Sequence, residues 1–276
     1  VTAQFSTRQH AACLRYTESV TTGAQAGASE LRRVTATRYV EALREGGSMP
    51  GLMEADDDGL YVVKLRGAGQ GLAALVAEVI AGELGRALGL RVPEQVVVQV
   101  DPELARAEPD QEIQELVGGS GGANLGIDFL PGALPFTPAT LQAMDPDEAA
   151  DVVWFDALAT NVDRTPRNPN VIVWHGRPWL IDHGAALYRL HGTRPLSETA
   201  RDPFPPIRDH VLLPVAAPIP EADRRLAGRA LEAALHAIAL VPPDWEAPRA
   251  EIEAYFRRRL EGARDFVEEA ERARRG

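Results

Sequence analysis

Residues 161–170 read NVDRTPRNPN, a stretch that holds three of the four asparagines of the 276-residue chain, together with an aspartate, two arginines and two prolines. Because prolines and short polar side chains favour turns, this stretch is predicted to be a loop. Turn chemistry alone explains many such loops. A loop that collects Asp, Asn and Arg between apolar elements is also a common place for a functional site, so it is the first candidate.

The predicted elements on both sides of this loop indicate that it lies close to a second acidic segment in the folded chain. An amphipathic helix is predicted over 146–160, directly before the loop, and a β-hairpin is predicted over 171–181, directly after it. The hairpin ends in Asp182-His183-Gly184. Because the loop and Asp182 flank the same hairpin, folding is expected to bring them close together.

Lysine usage gives another candidate. Of the 29 lysine and arginine side chains, one is a lysine, Lys64. It lies in the run 59–66, whose β-branched and aromatic residues predict a strand. A compact ammonium group on a strand suits a point-charge contact to a phosphate. A lysine at a strand edge that points into water is the plain alternative.

The order of the predicted elements indicates an α+β protein of two lobes. Strands, one long helix and further strands precede a mostly helical second half that contains the hairpin. We expect a β-rich N-lobe over 31–127 and a helical C-lobe over 128–276, with 1–30 as a mobile extension. The chain is predicted to finish with two helices, over 222–239 and 248–274.

Composition and charge exclude several classes of protein. The apolar fraction of 45% and the charged fraction of 25% are those of an ordinary globular protein. The single cysteine rules out a disulfide scaffold, and no apolar run is long enough to span a membrane. The net charge of −11 argues against direct binding to nucleic acid. The first residues lack the pattern of a signal peptide, so we expect a cytoplasmic protein.

The ordered set of candidate residues meets the requirements of phosphoryl transfer from a nucleotide. A glycine-rich turn precedes the lysine strand by one hairpin, and a glutamate on the following helix can orient the lysine. Asn and Asp oxygens are hard ligands that suit Mg²⁺. A further Asp can position the attacking hydroxyl.

These motifs resemble those of the HipA-like kinases, which share their catalytic arrangement with phosphoinositide kinases and the wider protein-kinase superfamily. The resemblance extends over most of residues 34–270. Four segments in matching order carry it, namely 61–65, 77–90, 161–168 and 181–184. It implies a bilobal protein-kinase-like fold and the transfer of phosphate from ATP, with Mg²⁺, to a hydroxyl. A protein Ser or Thr is the expected acceptor.

The resemblance also implies roles in nucleotide binding. Lys64 would contact the α- and β-phosphates of ATP. The partner of Lys64 would be Glu78, on the helix predicted over 71–88. Glu78 is preferred over Glu83 because the distance from Glu78 to the Leu-Gly-Leu segment at 88–90 matches the family. A glycine-rich turn would cover the phosphates through Gly46, Gly47 and Ser48.

The remaining implied roles concern catalysis, the metal and the adenine. Asp163 would be the catalytic base or would orient the hydroxyl, and Asn168 and Asp182 would hold Mg²⁺. The segment that links the two lobes would form a hinge that meets adenine, through Ile127, Asp128, Phe129 and Leu130.

Two departures from the family pattern leave alternatives open. Many relatives carry a His two residues after the catalytic Asp, where this sequence has Thr165, and His183 stands where protein kinases place Phe. A nucleotide-binding pseudokinase that docks a partner is therefore one alternative, and a kinase for a small-molecule acceptor is another. A metal-dependent hydrolase or a plain structural domain is a further one, with Asp163, Asn168 and Asp182 as its metal cluster.

Overall fold

The structure of the protein is a computed structural model, which describes residues 30–43, 49–68, 71–106 and 108–276. The predicted N-terminal extension, apart from its last residue, lies outside these ranges, and so does the predicted glycine-rich turn with Gly46, Gly47 and Ser48. Within the described ranges, no helix has the length and the apolar character needed to cross a membrane.

Five strands of the N-terminal part close into a small barrel. They are β1 (Arg33–Ala42), β2 (Gly51–Ala55), β3 (Leu60–Lys64), β4 (Gln95–Val100) and β5 (Gly122–Asp128). Around the barrel they follow the order β1, β2, β3, β5, β4, with β1 and β4 parallel and the other neighbours antiparallel. The valines of β4 alternate between the barrel interior and the outer face, as the period of a strand requires.

One long helix, α1 (Gly71–Ala87), follows the lysine strand and packs on the outer face of the barrel. Just beyond its end lies Gly89, whose φ of +84° is the left-handed conformation that glycine adopts without strain. The N–H of Leu90 then donates to the carbonyl oxygen of Gly85 at 2.9 Å, which closes the last turn. The helix predicted over 71–88 is therefore confirmed.

The rest of the chain is mainly helical and holds a second, small sheet. A short helix, α2 (Gln111–Gly118), is inserted between β4 and β5. The small sheet is antiparallel and contains β6 (Leu134–Pro135), β7 (Val171–Trp174) and β8 (Arg177–Leu180). The further helices are α3 (Pro138–Gln142), α4 (Pro146–Ala159), α5 (Ile219–Leu240), α6 (Arg249–Leu260) and α7 (Asp265–Arg274). The sequence predicted the hairpin and α4, but it predicted neither β6 nor α3.

The prediction of one continuous helix over 248–274 is wrong. The structure interrupts it between α6 and α7, where Gly262 has a φ of +73° and Arg264 adopts the left-handed conformation. Arg264 donates to the Asp223 carboxylate from Nε at 2.8 Å, and this anchor holds the kink. Because the apolar stripe continues in register on both sides of the break, the sequence pattern does not reveal it.

A single hydrophobic core joins the barrel side of the molecule to the C-terminal helices. Ile80 of α1 and Ile127 of β5 lie in the same cluster of buried side chains as Phe155 of α4 and Ala234 of α5. The barrel interior forms a separate cluster. The predicted lobe boundary, between residues 127 and 128, coincides with the end of β5 and stays a prediction.

Candidate active site

Lys64, the last residue of β3, lies at the centre of the candidate site. Its Nζ is 2.6 Å from Glu78 Oε2 on α1 and 2.6 Å from Asp182 Oδ1, just beyond β8. The residue is 8% exposed, so its side chain does not point into water. Three segments that are distant in the sequence therefore meet at one ammonium group.

The electrostatics of this cluster favour the charged forms. Burial alone would lower the pKa of Lys64, but the carboxylates of Glu78 and Asp182 raise it above its ordinary value. Burial alone would raise the pKa of Glu78, but the Lys64 ammonium and the His183 imidazole hold it well below its usual range. At neutral pH a charged lysine thus faces an ionised glutamate.

Glu83, the alternative partner on α1, lies away from the lysine. Its Oε1 is 3.5 Å from Nε of Arg86, one turn further along the helix. Burial raises the pKa of Glu83 to about 7, and the charge of Arg86 offsets only part of this effect. The structure therefore places Glu78, and not Glu83, beside Lys64.

The Asp182-His183-Gly184 segment packs directly against α1. Asp182 has a φ of +53°, a conformation that Asp and Asn adopt more readily than other side chains. The buried His183 ring makes an edge contact with Phe155, and its Nδ1 is 3.5 Å from Glu78 Oε1. A Cβ at Gly184 would lie 3.3 Å from Glu78 Oε2, so the glycine permits this close approach.

Asp163 and two asparagines form the second part of the site. The Asp163 carboxylate accepts a hydrogen bond from Asn168 Nδ2 at 2.8 Å and another from Asn170 Nδ2 at 3.3 Å. Asn170 Nδ2 also lies 3.5 Å from the carbonyl oxygen of Asp182. The loop and the Asp182 segment are therefore adjacent, as the shared hairpin predicts.

A buried network holds this loop from below. Asp156 on α4 accepts from Arg164 Nε at 2.5 Å, from Asn161 Nδ2 at 3.0 Å and from His210 Nε2 at 2.9 Å. The N–H of Leu212 donates to His210 Nδ1 at 3.1 Å, so the ring proton is on Nε2. Burial alone would raise the pKa of Asp156, but Arg164 and His210 keep it well below its usual range.

Sequence reasoning gave no role to the members of this network or to Asn170. The density of asparagines in the loop pointed to Asn161 and Asn170, but not to what they bind. Asp156 and His210 stand 54 residues apart and belong to no shared motif. Only the folded chain brings them together.

The predicted hinge follows the end of β5. The N–H of Asp128 donates to the carbonyl oxygen of Glu94, and the N–H of Phe129 donates to that of Leu60, both at 2.9 Å. These two donors are used within the fold. The N–H of Leu130 has no backbone acceptor among the described residues, which leaves it as the candidate donor to a base.

The donor set fits a hard divalent cation. Asn168 uses its Nδ2 to bind Asp163, so its amide oxygen is left for another partner, and Lys64 contacts only one oxygen of the half-exposed Asp182 carboxylate. In the ranges that the structure describes, no three His, Cys, Asp or Glu side chains cluster to hold a metal alone. Mg²⁺ is typically held by one or two protein groups together with phosphate oxygens.

The site combines a lysine on a barrel strand, its glutamate on the next helix, an Asp-Asn loop, a hairpin and a further Asp. Phosphoryl transfer of the protein-kinase type uses groups of these kinds. The model of the HipA-like kinase family matches residues 37–273. The chain belongs to this family. No curated protein sequence matches it.

Solved kinase structures resemble the chain at low sequence identity. The Helicobacter pylori proinflammatory kinase CtkA is 12% identical, with 86% of this chain and 96% of that chain covered and a TM-score of 0.52. A Golgi casein kinase with Mn and ADP bound is 14% identical, with coverage of 96% and 77% and a TM-score of 0.48. A second structure of the Golgi casein kinase is 13% identical, with coverage of 98% and 76% and a TM-score of 0.49. The likeness to CtkA confirms the predicted protein-kinase-like fold.

Proposed function

We propose that this kinase transfers the γ-phosphoryl group of ATP, with Mg²⁺, to the hydroxyl group of a protein Ser or Thr. The observation that supports this most is the position of Lys64 Nζ, 2.6 Å from both Glu78 and Asp182. The phosphates of a nucleotide require a positive charge in a fixed position, and Lys64 is held in this way between Glu78 of α1 and the potential metal ligand Asp182.

Each residue of the site then has a task. Lys64 contacts the α- and β-phosphates, and Glu78 keeps it in place. Asn168 and Asp182 would hold Mg²⁺, which supplies charge neutralisation at the phosphate oxygens when it is bound. Asp163 orients the acceptor hydroxyl and takes its proton. The free N–H of Leu130 binds the adenine.

The main alternative is a pseudokinase that binds nucleotide and docks a partner, and a second is a kinase for a small molecule. The proximity of all the required groups favours activity, since Asp163, Asn168 and Asp182 flank one hairpin and Asn170 links them. The nature of the acceptor and the cytoplasmic location stay predictions from the sequence.

Thermal unfolding with ATP, with and without Mg²⁺, tests the nucleotide site. We expect saturating MgATP to stabilise the wild type by about 3 kcal/mol at 100 times Kd, and to stabilise Asp182→Asn far less. Asp202→Asn is the matched control, because Asp202 pairs with Arg189 and Arg194 outside the site. It should respond to MgATP as the wild type does.

Nucleotide binding and ADP formation together distinguish an active protein kinase from the alternative functions. No shift of the wild type by any nucleotide would mean that the likeness to kinases is one of fold only, and a hydrolase or structural role would then be favoured. Binding of MgATP without release of ADP or labelling of any protein would identify a pseudokinase. ADP formation with a small molecule, and none with proteins, would identify the acceptor class.

A further inference from the structure

We propose that the C-terminal helices hold α1 in its catalytic position, with Arg229 as a positioning residue, so that Lys64 and Glu78 meet without nucleotide, partner or modification. This rests on the proposed function, because the lysine–glutamate pair matters only if Lys64 serves a nucleotide. In protein kinases generally, the placement of the corresponding helix is a point of control.

The first observation is the packing of α1 against α5. It is the most extensive contact between two helices in the described part of the chain. On α1, eleven of its seventeen residues are buried, Glu78 among them. Ile80 and Leu84 have no exposed surface and belong to the core that α5 shares. An outward swing of α1 would therefore open that core.

Arg229 of α5 fastens the C-terminal end of α1. Its Nη2 donates to the carbonyl oxygen of Leu88 at 2.6 Å. The last carbonyl groups of a helix lack hydrogen-bond partners within it and carry partial negative charge. A guanidinium group supplies both a hydrogen-bond donor and a positive charge there. Arg229 and Leu88 are 141 residues apart along the sequence, so this hydrogen bond ties α1 to a distant element.

Arg91 makes a second tie, from the segment that follows α1. Its Nε donates to the carbonyl oxygen of Pro178 at 2.8 Å, its own carbonyl oxygen accepts from Leu180 N–H at 2.8 Å, and its guanidinium pairs with Glu148 of α4. The chain that leaves α1 is therefore fixed to β8, the strand that leads to Asp182.

Trp245 makes a third tie, to the barrel. It is 2% exposed and lies between α5 and α6 in the sequence. Its Nε1 donates to the carbonyl oxygen of Ala123 in β5 at 3.3 Å. The barrel and the segment at the end of α1 are thus connected to the C-terminal half of the chain at three separate points.

The sequence itself supplies the probe for this proposal. Lys64 is its only lysine, so limited acetylation with acetic anhydride, read by mass spectrometry of the Lys64 peptide, reports a single side chain. The amine of the chain terminus serves as the internal reference. In the nucleotide-free wild type, we expect Lys64 to react at least about tenfold more slowly than in the urea-unfolded chain, because buried groups react only through opening.

Variants of Arg229 test its role. In Arg229→Ala, we expect acetylation of Lys64 to accelerate about fivefold while unfolding stays cooperative. Arg229→Gln keeps an N–H donor and should restore part of the protection. Arg224→Ala is the matched control, since Arg224 lies on the same helix and pairs there with Glu221, away from α1. It should react as the wild type does.

Two results would overturn the proposal. One is a wild-type Lys64 that reacts as in the unfolded chain and becomes protected only when MgATP is added. The other is an equal rate in Arg229→Ala and Arg224→Ala. A protected Lys64 in a wild type that binds no nucleotide would contradict the proposed function instead, so the two failures are distinguishable.

Discussion

Two clusters of charged side chains, one around Asp156 and one around Lys64, are built in opposite ways. In the network below the loop, Asp156 and Arg164 have no exposed side-chain surface, and Asp156 accepts hydrogen bonds from three side chains. In the cluster around Lys64, the Asp182 side chain is 42% exposed, and Glu78 Oε1 is buried without a hydrogen-bond partner among the described residues.

The difference is the one expected between a structural support and the proposed nucleotide site. A buried polar group without a partner costs free energy, so a cluster that serves only the fold is expected to be fully paired. A cluster that binds a ligand keeps acceptors in reserve for it. The network around Asp156 holds the loop, whereas the cluster around Lys64 and the neighbouring Asn168 leave oxygen atoms open.

The largest expected effect is the loss of transfer in Asp163→Asn. The amide cannot take the proton of the acceptor hydroxyl, so the rate of ADP formation should fall about 1000-fold. The affinity for MgATP should stay within threefold of wild type, because the side-chain oxygen of the substituted Asn can still accept the hydrogen bond from Asn168, the proposed Mg²⁺ ligand. Initial rates and nucleotide titrations measure both, and a rate loss below about tenfold contradicts the role of Asp163.

Next in size is the loss of stability in Asp156→Asn. The variant leaves the Arg164 guanidinium buried without its counter-ion, so the free energy of unfolding should fall by about 3–5 kcal/mol. Urea unfolding measures the change.

Asp151→Asn is the matched control for Asp156→Asn on the same helix. Its carboxylate pairs with Arg225 at 2.7 Å near the surface, so the loss of stability should be about 1 kcal/mol or less. Equal losses in the two variants would remove the contrast between a fully buried network and a surface pair.

A smaller effect is expected from Glu83→Gln, and it depends on pH. Because burial raises the pKa of Glu83 to about 7, above the value in the unfolded chain, the folded protein loses stability as pH rises through about 7. Glutamine does not ionise. The variant should therefore gain about 2 kcal/mol over the wild type between pH 5 and pH 8.

Urea unfolding at several pH values checks this prediction. If the difference in unfolding free energy between Glu83→Gln and the wild type stays constant with pH, burial does not disfavour the ionised form of Glu83. A pH-dependent difference would thus make Glu83 a third case, a buried carboxylate whose partner Arg86 lies at 3.5 Å.

Much of the candidate site was predictable because rare residue types mark it. In a chain that uses arginine almost everywhere, one lysine stands out, and three asparagines within ten residues mark the loop. The order of Lys64, Glu78, Asp163 and Asp182 along the chain predicted the class of fold. The roles of these residues stay predictions until the variants are measured.

The parts that could not be predicted depend on contacts between distant segments. No local sequence pattern predicts the hydrogen bond of His210 to Asp156 or the kink at Arg264. The same holds for the backbone hydrogen bonds that the N–H groups of Asp128 and Phe129 make at the end of β5. Hydrophobic periodicity reports which face of an element is buried, but not which element covers it.

Most of the long helices and strands, their order and the short list of residues with the right chemistry can be read from the sequence alone, because propensity and periodicity are local properties. The resemblance already favoured Glu78 over Glu83 as the partner of Lys64, whereas the contact of Asp182 with the same ammonium group comes from the tertiary structure. The tertiary structure also decided that α5 covers α1. These outcomes depend on burial and packing across more than a hundred residues of chain, where the free energy belongs to the whole core and not to any single segment.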